Sequence, residues 1–272
     1  MACIICRDTN PPTVIQKFPT YSILECNNCK FAIVDPIPDS ELLNKLYNSV
    51  EYFDTHMNYN FESISTAEIE KNIRQNQTLH VSNLKKYLKD GQKLLEIGSG
   101  GGFALKAFKN LNVDAKGVET SVVAKEFAEK KLGVKVINSS FEDFISEEKY
   151  DIVMLNHVLE HFLDPVMAMA KLRTLVKKDG ILYIRVPDHD SFDRRIYKSK
   201  WPAYAHYHIS NFSEKSLVMI YENFGFKVLE TRKYISERVP RIIRSLVVRS
   251  PFKSLFINKF NGRTITIIGR AI

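Results

Sequence analysis

Three sets of residues in this chain have the types and spacing that suit chemistry. The first is Cys3-x-x-Cys6 with Cys26-x-x-Cys29, which together use all four cysteines. Each pair can present two thiolates from one tight turn, and two such turns close a tetrahedral zinc site. A redox dithiol needs one pair, not two at this separation. No histidine or aspartate falls inside either pair, so the reading is a closed structural site rather than an open catalytic one. The second set is Glu96, Gly98, Ser99, Gly100, Gly101 and Gly102, an acid followed by glycines. Such a turn lets a ligand approach the backbone closely. A dinucleotide fingerprint would need a glycine at 103, where the chain has Phe103, so G-x-G-x-x-G fails. The third set holds imidazoles and a carboxylate. His157, Glu160 and His161 fall together, and His206 and His208 lie in WPAYAHYHIS beside Trp201, Tyr204 and Tyr207. An unperturbed imidazole titrates near ~6.5, which suits a general base.

The elements that must position these residues follow from periodicity. Leu94, Leu95 and Ile97 form a short apolar run that reads as a strand buried on both faces. Phe103, Ala104, Leu105, Ala107 and Phe108 continue with helical spacing after the glycines. The helix start adds unpaired N–H groups and a partial positive charge. Residues 114–119 read as a second strand ending in Glu119, whose carboxylate is placed to accept from both ribose hydroxyls of a nucleoside. A helix over 121–132 and a third strand over 134–138 follow. The fourth strand ends at Asn156 and His157, a helix spans 164–176, and a fifth strand spans 180–186. A helix over 211–223, a sixth strand over 226–231 and a seventh over 264–270 complete the pattern. Upstream, Ser40 caps a helix running to Phe53. Tyr52, Phe53, His56, Tyr59 and Phe61 form an aromatic group that either packs in the core or lids the site. A long helix over 66–88 packs Ile69, Ile73, Leu84, Tyr87 and Leu88 on the sheet edge.

Glu96-x-Gly98-x-Gly100-x-Gly102 resembles motif I of the class I S-adenosylmethionine (SAM)-dependent methyltransferases. VLEHFLDP, from Val158 to Pro165, is similar to a segment those families carry after the fourth strand. The resemblance covers roughly residues 90–190. It implies an α/β fold: a Rossmann-like seven-stranded sheet with an antiparallel last strand at the edge, here behind a small zinc ribbon. Three parts are expected: a ribbon over 1–37, a helical linker or lid over 38–90, and a methyltransferase domain over 91–272. The resemblance implies SAM as cofactor, held by Glu96, Gly98, Ser99, Gly100, Gly102, Glu119, Thr120, Asn156 and His157. Ser140, Phe141 and Glu142 stand where the family contacts adenine, with Ser140 replacing the usual Asp. A zinc module before this fold resembles bacterial sugar and natural-product methyltransferases. The expected reaction is O-methylation of a sugar or sugar-linked group, with His161 as first candidate base, Glu160 as its partner or alternative, and His157, His206 and His208 as rivals. Sugar C-methylation is a variant of this reading. The C-methyltransferases usually carry a further C-terminal domain, whereas this sequence stops after the seventh strand.

Composition bounds the alternatives. The 272 residues are 44% hydrophobic and carry a net charge of +8, which permits anionic partners and selects none. No early stretch has a signal-peptide pattern and no apolar run nears the ~20 residues that span a bilayer, so the cytoplasm is the expected compartment. The basic stretch 238–263 interleaves Arg238, Arg241, Arg244 and Arg249 with Ile242, Ile243, Leu246 and Val247. It either covers the sheet or meets a membrane surface or phosphorylated acceptor. A nucleic-acid methyltransferase is disfavoured because no N/D-P-P-Y/F follows strand four. A non-catalytic SAM-binding protein is the other class left open. The acceptor atom and the oligomeric state leave no mark in the sequence.

Overall fold

The computed structural model describes residues 2–39, 61, 63–235 and 261–272. The expected helix over 40–53, the aromatic residues Tyr52, Phe53, His56 and Tyr59, and nearly all of the basic stretch 238–263 lie outside these residues.

The main sheet has seven strands: β4 (Lys93–Ile97), β5 (Asp114–Glu119), β6 (Lys135–Asn138), β7 (Tyr150–Asn156), β8 (Val176–Pro187), β10 (Phe226–Ile235) and β11 (Asn261–Ala271). Their order is β10-β11-β8-β7-β4-β5-β6. β4 pairs in parallel with β5 and β7, and β8 pairs in parallel with β7. β11 runs antiparallel to both β8 and β10. The expected antiparallel last strand is therefore present, but it lies inside the sheet and β10 takes the edge. The cause is legible in β11: Ile265 and Ile267 join one core, Ile268 joins the opposite core, and all three are fully buried. A strand buried on both faces belongs in the interior.

Helices cover both faces. Phe103–Lys109 (α2) and Val122–Phe127 (α3) lie on one face with the upstream helix Thr66–Asn76 (α1). The Ser65 side chain accepts from Glu68 N–H while the Glu68 carboxylate accepts from Ser65 N–H, which fixes the start of α1. The helical path continues through a wider turn at 77–81 and ends at Tyr87. Its apolar residues Ile69, Ile73, Tyr87 and Leu88 pack with Leu84 against Phe103, Ile152, Met154 and Tyr183. That is the face of the sheet beside α2, not the edge that spacing alone suggested. The wide turn buries His80, whose Nδ1 lies 2.9 Å from the Tyr183 hydroxyl. Pro165–Leu175 (α4) and Glu214–Asn223 (α6) cover the other face.

The N-terminal residues form a second, antiparallel sheet of β1 (Thr13–Lys17), β2 (Ser22–Glu25), β3 (Ala32–Asp35) and β9 (Ser210–Asn211). β9 comes from the connection after β8, so the sheet of the expected ribbon module is completed by residues far downstream. Trp201, Ala203 and Tyr204 pack with Ile23, Ala32 and Val34 in a small core under this sheet. Trp201 and Tyr204 are thus spent on packing rather than offered to an acceptor. The helix before them, Phe192–Tyr197 (α5), packs on β11.

Candidate active site

The glycine turn stands at the carboxyl end of β4, between the ends of β5 and β7. Open α/β sheets bind ligands at this edge. Gly98 N–H donates to the Val118 carbonyl at 2.8 Å and has φ +67°. A Cβ there would meet Val158 Cγ2 at 2.5 Å, so the side chain that follows β7 fills the space beside it. Gly100 has φ +50°, its N–H donates to Glu119 Oε2 at 2.8 Å, and apart from its chain neighbours no described residue lies within 4 Å of where its Cβ would stand. Glu119 Oε1 also accepts from Ser121 N–H at 2.9 Å. The carboxylate at the end of β5 therefore ties the glycine turn to the next helix, a contact the spacing did not suggest.

Two buried polar atoms at this turn have no partner among the described residues: Glu96 Oε2 and Ser99 Oγ. Glu96 is buried, and desolvation with the nearby Glu119 charge pushes its carboxyl well above the usual range. SAM carries a sulfonium and an ammonium. An ammonium beside the orphaned Glu96 carboxyl oxygen and Ser99 hydroxyl, next to a glycine over which the described residues leave space, supplies the hydrogen-bond donors this turn leaves unsatisfied.

After β6, the Ser140 hydroxyl donates to Asp143 Oδ2 at 2.7 Å and accepts from Asp143 N–H at 3.0 Å. A carboxylate thus stands three residues beyond the place where the family has its Asp. Phe141 is buried with its ring stacked on Phe162 at 5.2 Å. That ring is held in the core, while Glu142 is exposed. Lys171 Nζ donates to the Phe141 and Glu142 carbonyls at 2.7 and 2.8 Å, pinning the segment to α4.

The imidazole cluster follows β7. His157 adopts φ +56°, a left-handed position that costs about 1–2 kcal/mol for a residue with a Cβ. Its Nε2 faces the Arg185 guanidinium at 2.7 Å and its Nδ1 faces Glu160 Oε1 at 3.0 Å. A guanidinium only donates, so Nε2 accepts and Nδ1–H donates to the carboxylate. Arg185 also donates to Asn156 Oδ1 at 3.2 Å and to Thr264 Oγ1 at 3.0 Å. Arg185, like Asp143, is a residue that spacing missed. The signal was a lone cation inside the apolar run ILYIRV.

Glu160 and His161 lie in a short 3₁₀ turn, Leu159–His161, between β7 and α4. Asp164 caps α4, accepting from Val166 and Met167 N–H at 2.8 and 3.0 Å, with Pro165 first in the helix. The cap fixes where the helix begins and so fixes the turn before it. Glu160 is 1% exposed, and burial pushes its carboxyl up to about 7. Its Oε2 has no partner among the described residues. His161 Nδ1 lies 3.1 Å from the Tyr207 carbonyl, its ring stacks over Tyr207, and its centroid lies 4.8 Å from that of His208. Burial and the neighbouring His208 hold its pKa below the usual imidazole range. His208 Nδ1 lies 3.0 Å from the Ala203 carbonyl. The chain therefore brings together His157, Glu160, His161 and His208. His206 stands apart, its ring stacked on Tyr21 at 4.6 Å with an interplanar angle of 1°.

At the N-terminus the four cysteine sulfurs lie within 4.8 Å of one another, with Cys3–Cys29 and Cys6–Cys26 each at 3.6 Å. A tetrahedral site with ~2.3 Å zinc–sulfur bonds needs sulfurs about 3.8 Å apart. The two turns match: Arg7 and Lys30, each next after its pair, both have φ +60°. Asp8 Oδ2 stands 3.9 Å from Cys26 Sγ, so an acid does approach the cluster, from just outside the first pair.

A family model described as "Methyltransferase domain" matches residues 69–231. An uncharacterised protein of Methanocaldococcus jannaschii is 29% identical over 180 residues, covering 64% of this chain and 85% of that one. The ubiquinone biosynthesis O-methyltransferase of Actinobacillus pleuropneumoniae is 29% identical over 104 residues, covering 34% of this chain. This chain spans only 44% of the length of that enzyme. Among solved structures, the magnesium protoporphyrin IX methyltransferase of Synechocystis PCC 6803, with bound SAH, has TM-score 0.62 at 13% identity. That similarity covers 86% of this chain and 100% of the other, and at this identity it speaks for the fold. No helix among the described residues is long and apolar enough to cross a membrane. By the match of the greater part of its length, the chain belongs to the methyltransferase domain family and is a SAM-dependent methyltransferase.

Proposed function

We propose that this methyltransferase O-methylates a small polar acceptor, a sugar or sugar-linked group, with the acceptor held against His161, Tyr207 and His208. The observation that carries the reading is the imidazole cluster at the carboxyl end of β7, beside the glycine turn, with His161 and His208 each set by a backbone carbonyl. Tyr207 adds a half-buried ring of the kind that borders sugars. SAM, when bound, supplies a methyl on a sulfonium, already an excellent leaving group. What remains for the chain is to place the acceptor oxygen on the methyl axis and to receive its proton.

In this reading Glu96, Gly98, Ser99, Gly100 and Gly102 hold the methionine end of the cofactor, with Asn156 and His157 closing that side. Glu119 and Thr120 take the ribose, and Ser140 with Asp143 takes the adenine amine. Phe141 supports that wall from within the core. Because Glu119 also braces Gly100, Glu119→Ala is expected to weaken SAM binding by about 1–3 kcal/mol, the range for charge-assisted hydrogen bonds. Calorimetric titration reads this, and an unchanged affinity would move the ribose contact elsewhere.

We assign Cys3, Cys6, Cys26 and Cys29 to one structural zinc. Four protein ligands leave no open position, so the metal stabilises and does not react. Its sheet includes β9, and the Ser213 hydroxyl donates to the Cys29 carbonyl at 2.7 Å. Chelation is therefore expected to lower the melting temperature and to loosen the 198–212 connection. A metal-free protein that melts like the untreated one would remove the zinc.

The acceptor class is tested by incubating the protein and SAM with nucleotide sugars and polysaccharide precursors while measuring S-adenosylhomocysteine release. Release with amines or nucleic acid and none with hydroxylated sugars would overturn it.

A further inference from the structure

We propose that Glu160, His161 and His208 form a second metal site, a three-ligand seat for a divalent transition cation whose open positions take the acceptor oxygen. This rests on the acceptor position proposed above and deepens it, because it names what activates the acceptor there.

The donor set comes first. One ligand atom from each of these three side chains can be chosen so that all lie within 4.8 Å of one another. Bonds of ~2.0–2.2 Å to imidazole nitrogen and carboxylate oxygen call for donor separations of about 3–3.5 Å, so closure needs side-chain shifts of about 1 Å. Two imidazoles and one carboxylate suit zinc, iron(II), cobalt or nickel over magnesium, which prefers oxygen and water. Three protein ligands leave positions for water and for an exogenous oxygen.

The outer contacts make the stronger argument. A metal-binding histidine almost always donates its other ring N–H to a carbonyl or carboxylate. Here His161 Nδ1 faces the Tyr207 carbonyl at 3.1 Å and His208 Nδ1 faces the Ala203 carbonyl at 3.0 Å. Both contacts put the hydrogen on Nδ1 and leave Nε2 as the donor atom. Glu160 follows the same logic. Its Oε1 accepts from His157 Nδ1, and His157 is itself fixed by Arg185, which leaves Oε2 as the ligating atom. That Oε2 is buried and has no partner among the described residues. Ionising that carboxyl with one oxygen buried and no donor to it is expensive, and a cation is what removes the cost.

With the cation in place, His161 is a ligand, and the cation lowers the pKa of the bound hydroxyl. The transfer balances without redox change. The hydroxyl proton leaves to solvent, the oxygen–carbon bond forms as the sulfur–carbon bond breaks, and sulfur keeps the electron pair.

The test uses the full chain with its cysteine site kept in zinc, stripped of weakly held metal and titrated with cobalt(II). The expected result is one further cobalt per chain, with visible d–d bands and no thiolate charge-transfer band. His161→Ala, His208→Ala and Glu160→Gln should each lose those bands. His208→Ala should also bind SAM within about 2-fold of wild type, which shows that it is folded; His208→Gln serves if it is not. Failure of the wild-type chain to take up cobalt beyond the cysteine site overturns the proposal. So does cobalt uptake that survives in both histidine variants. The base reading is tested separately: a stripped protein with full turnover that collapses in His161→Ala keeps the base and removes the cation.

Discussion

Gly100→Val is expected to abolish SAM binding while leaving the protein folded. Gly100 sits at φ +50°, where a β-branched residue is strained by about 1–2 kcal/mol. Its N–H is the hydrogen that Glu119 Oε2 accepts, so any relaxation of that strain also frees the carboxylate assigned to the ribose. Apart from its chain neighbours, none of the described residues comes within 4 Å of the new Cβ, so among them the valine meets no neighbour and projects where the proposed ligand lies. Strain and exclusion add, and calorimetric titration should find no binding. Wild-type affinity in this variant would remove the cofactor from the glycine turn. Gly98→Val is the instructive contrast. Its Cβ would fall 2.5 Å from Val158 Cγ2, so it is expected to lose binding through the fold, with a lowered melting temperature. Close approach of backbone to ligand is the reason spacing gives for both glycines, and at Gly100 the described residues leave space for it. At Gly98 the approach is to another side chain.

That contrast marks how far residue order carries. The apolar run before the glycines, the acid at the end of β5 and the turn after β7 were legible because each is local. Leu94, Leu95 and Ile97 are buried in β4 as their types require. Long-range pairing left weaker traces. Nothing in TITIIGR says whether the strand lies inside or outside Phe226–Ile235, and only burial on both faces decides it. The WPAYAHYHIS stretch read as one acceptor loop because its aromatics and histidines are adjacent. The structure divides it: Trp201 and Tyr204 go under the N-terminal sheet, His206 goes against Tyr21, and Tyr207 and His208 go to His161. The division follows from β9, whose two residues pair with Ala32 and Ile33, far upstream in the chain. No periodicity reports a pairing that short. Arg185 and Asp143 were missed for a related reason. Their partners lie on other elements or depend on a turn that Ser140 creates.

His161→Ala is expected to lower turnover by about 10²–10⁴-fold, the range for a positioned general base, with SAM affinity nearly unchanged. The imidazole is placed for the work by the turn after β7, by the Asp164 cap that fixes where that turn ends, and by the Tyr207 carbonyl that sets its tautomer. Burial holds it neutral at pH 7, so its lone pair is available across the physiological range, to the acceptor proton or, with the cation proposed above, to the metal, and its loss lowers turnover in either case. The cofactor contacts assigned here come from β4, β5, the segment after β6 and Asn156 with His157 at the end of β7, whose side chains bond Arg185 and Glu160 and not this ring in the contacts above, so affinity for SAM should be spared. His206→Ala is the control. Its ring lies on Tyr21, away from Glu160 and His208, and its removal should leave turnover within about 2-fold of wild type, as for a surface change. His208→Ala should fall between the two or match His161→Ala, because its ring stands edge-on to His161 at 4.8 Å. Near-normal turnover in His161→Ala together with loss in His206→Ala would place the base against the N-terminal sheet and overturn the assignment. Loss in neither would mean that positioning alone carries the transfer, as it does for an acceptor that arrives already ionised.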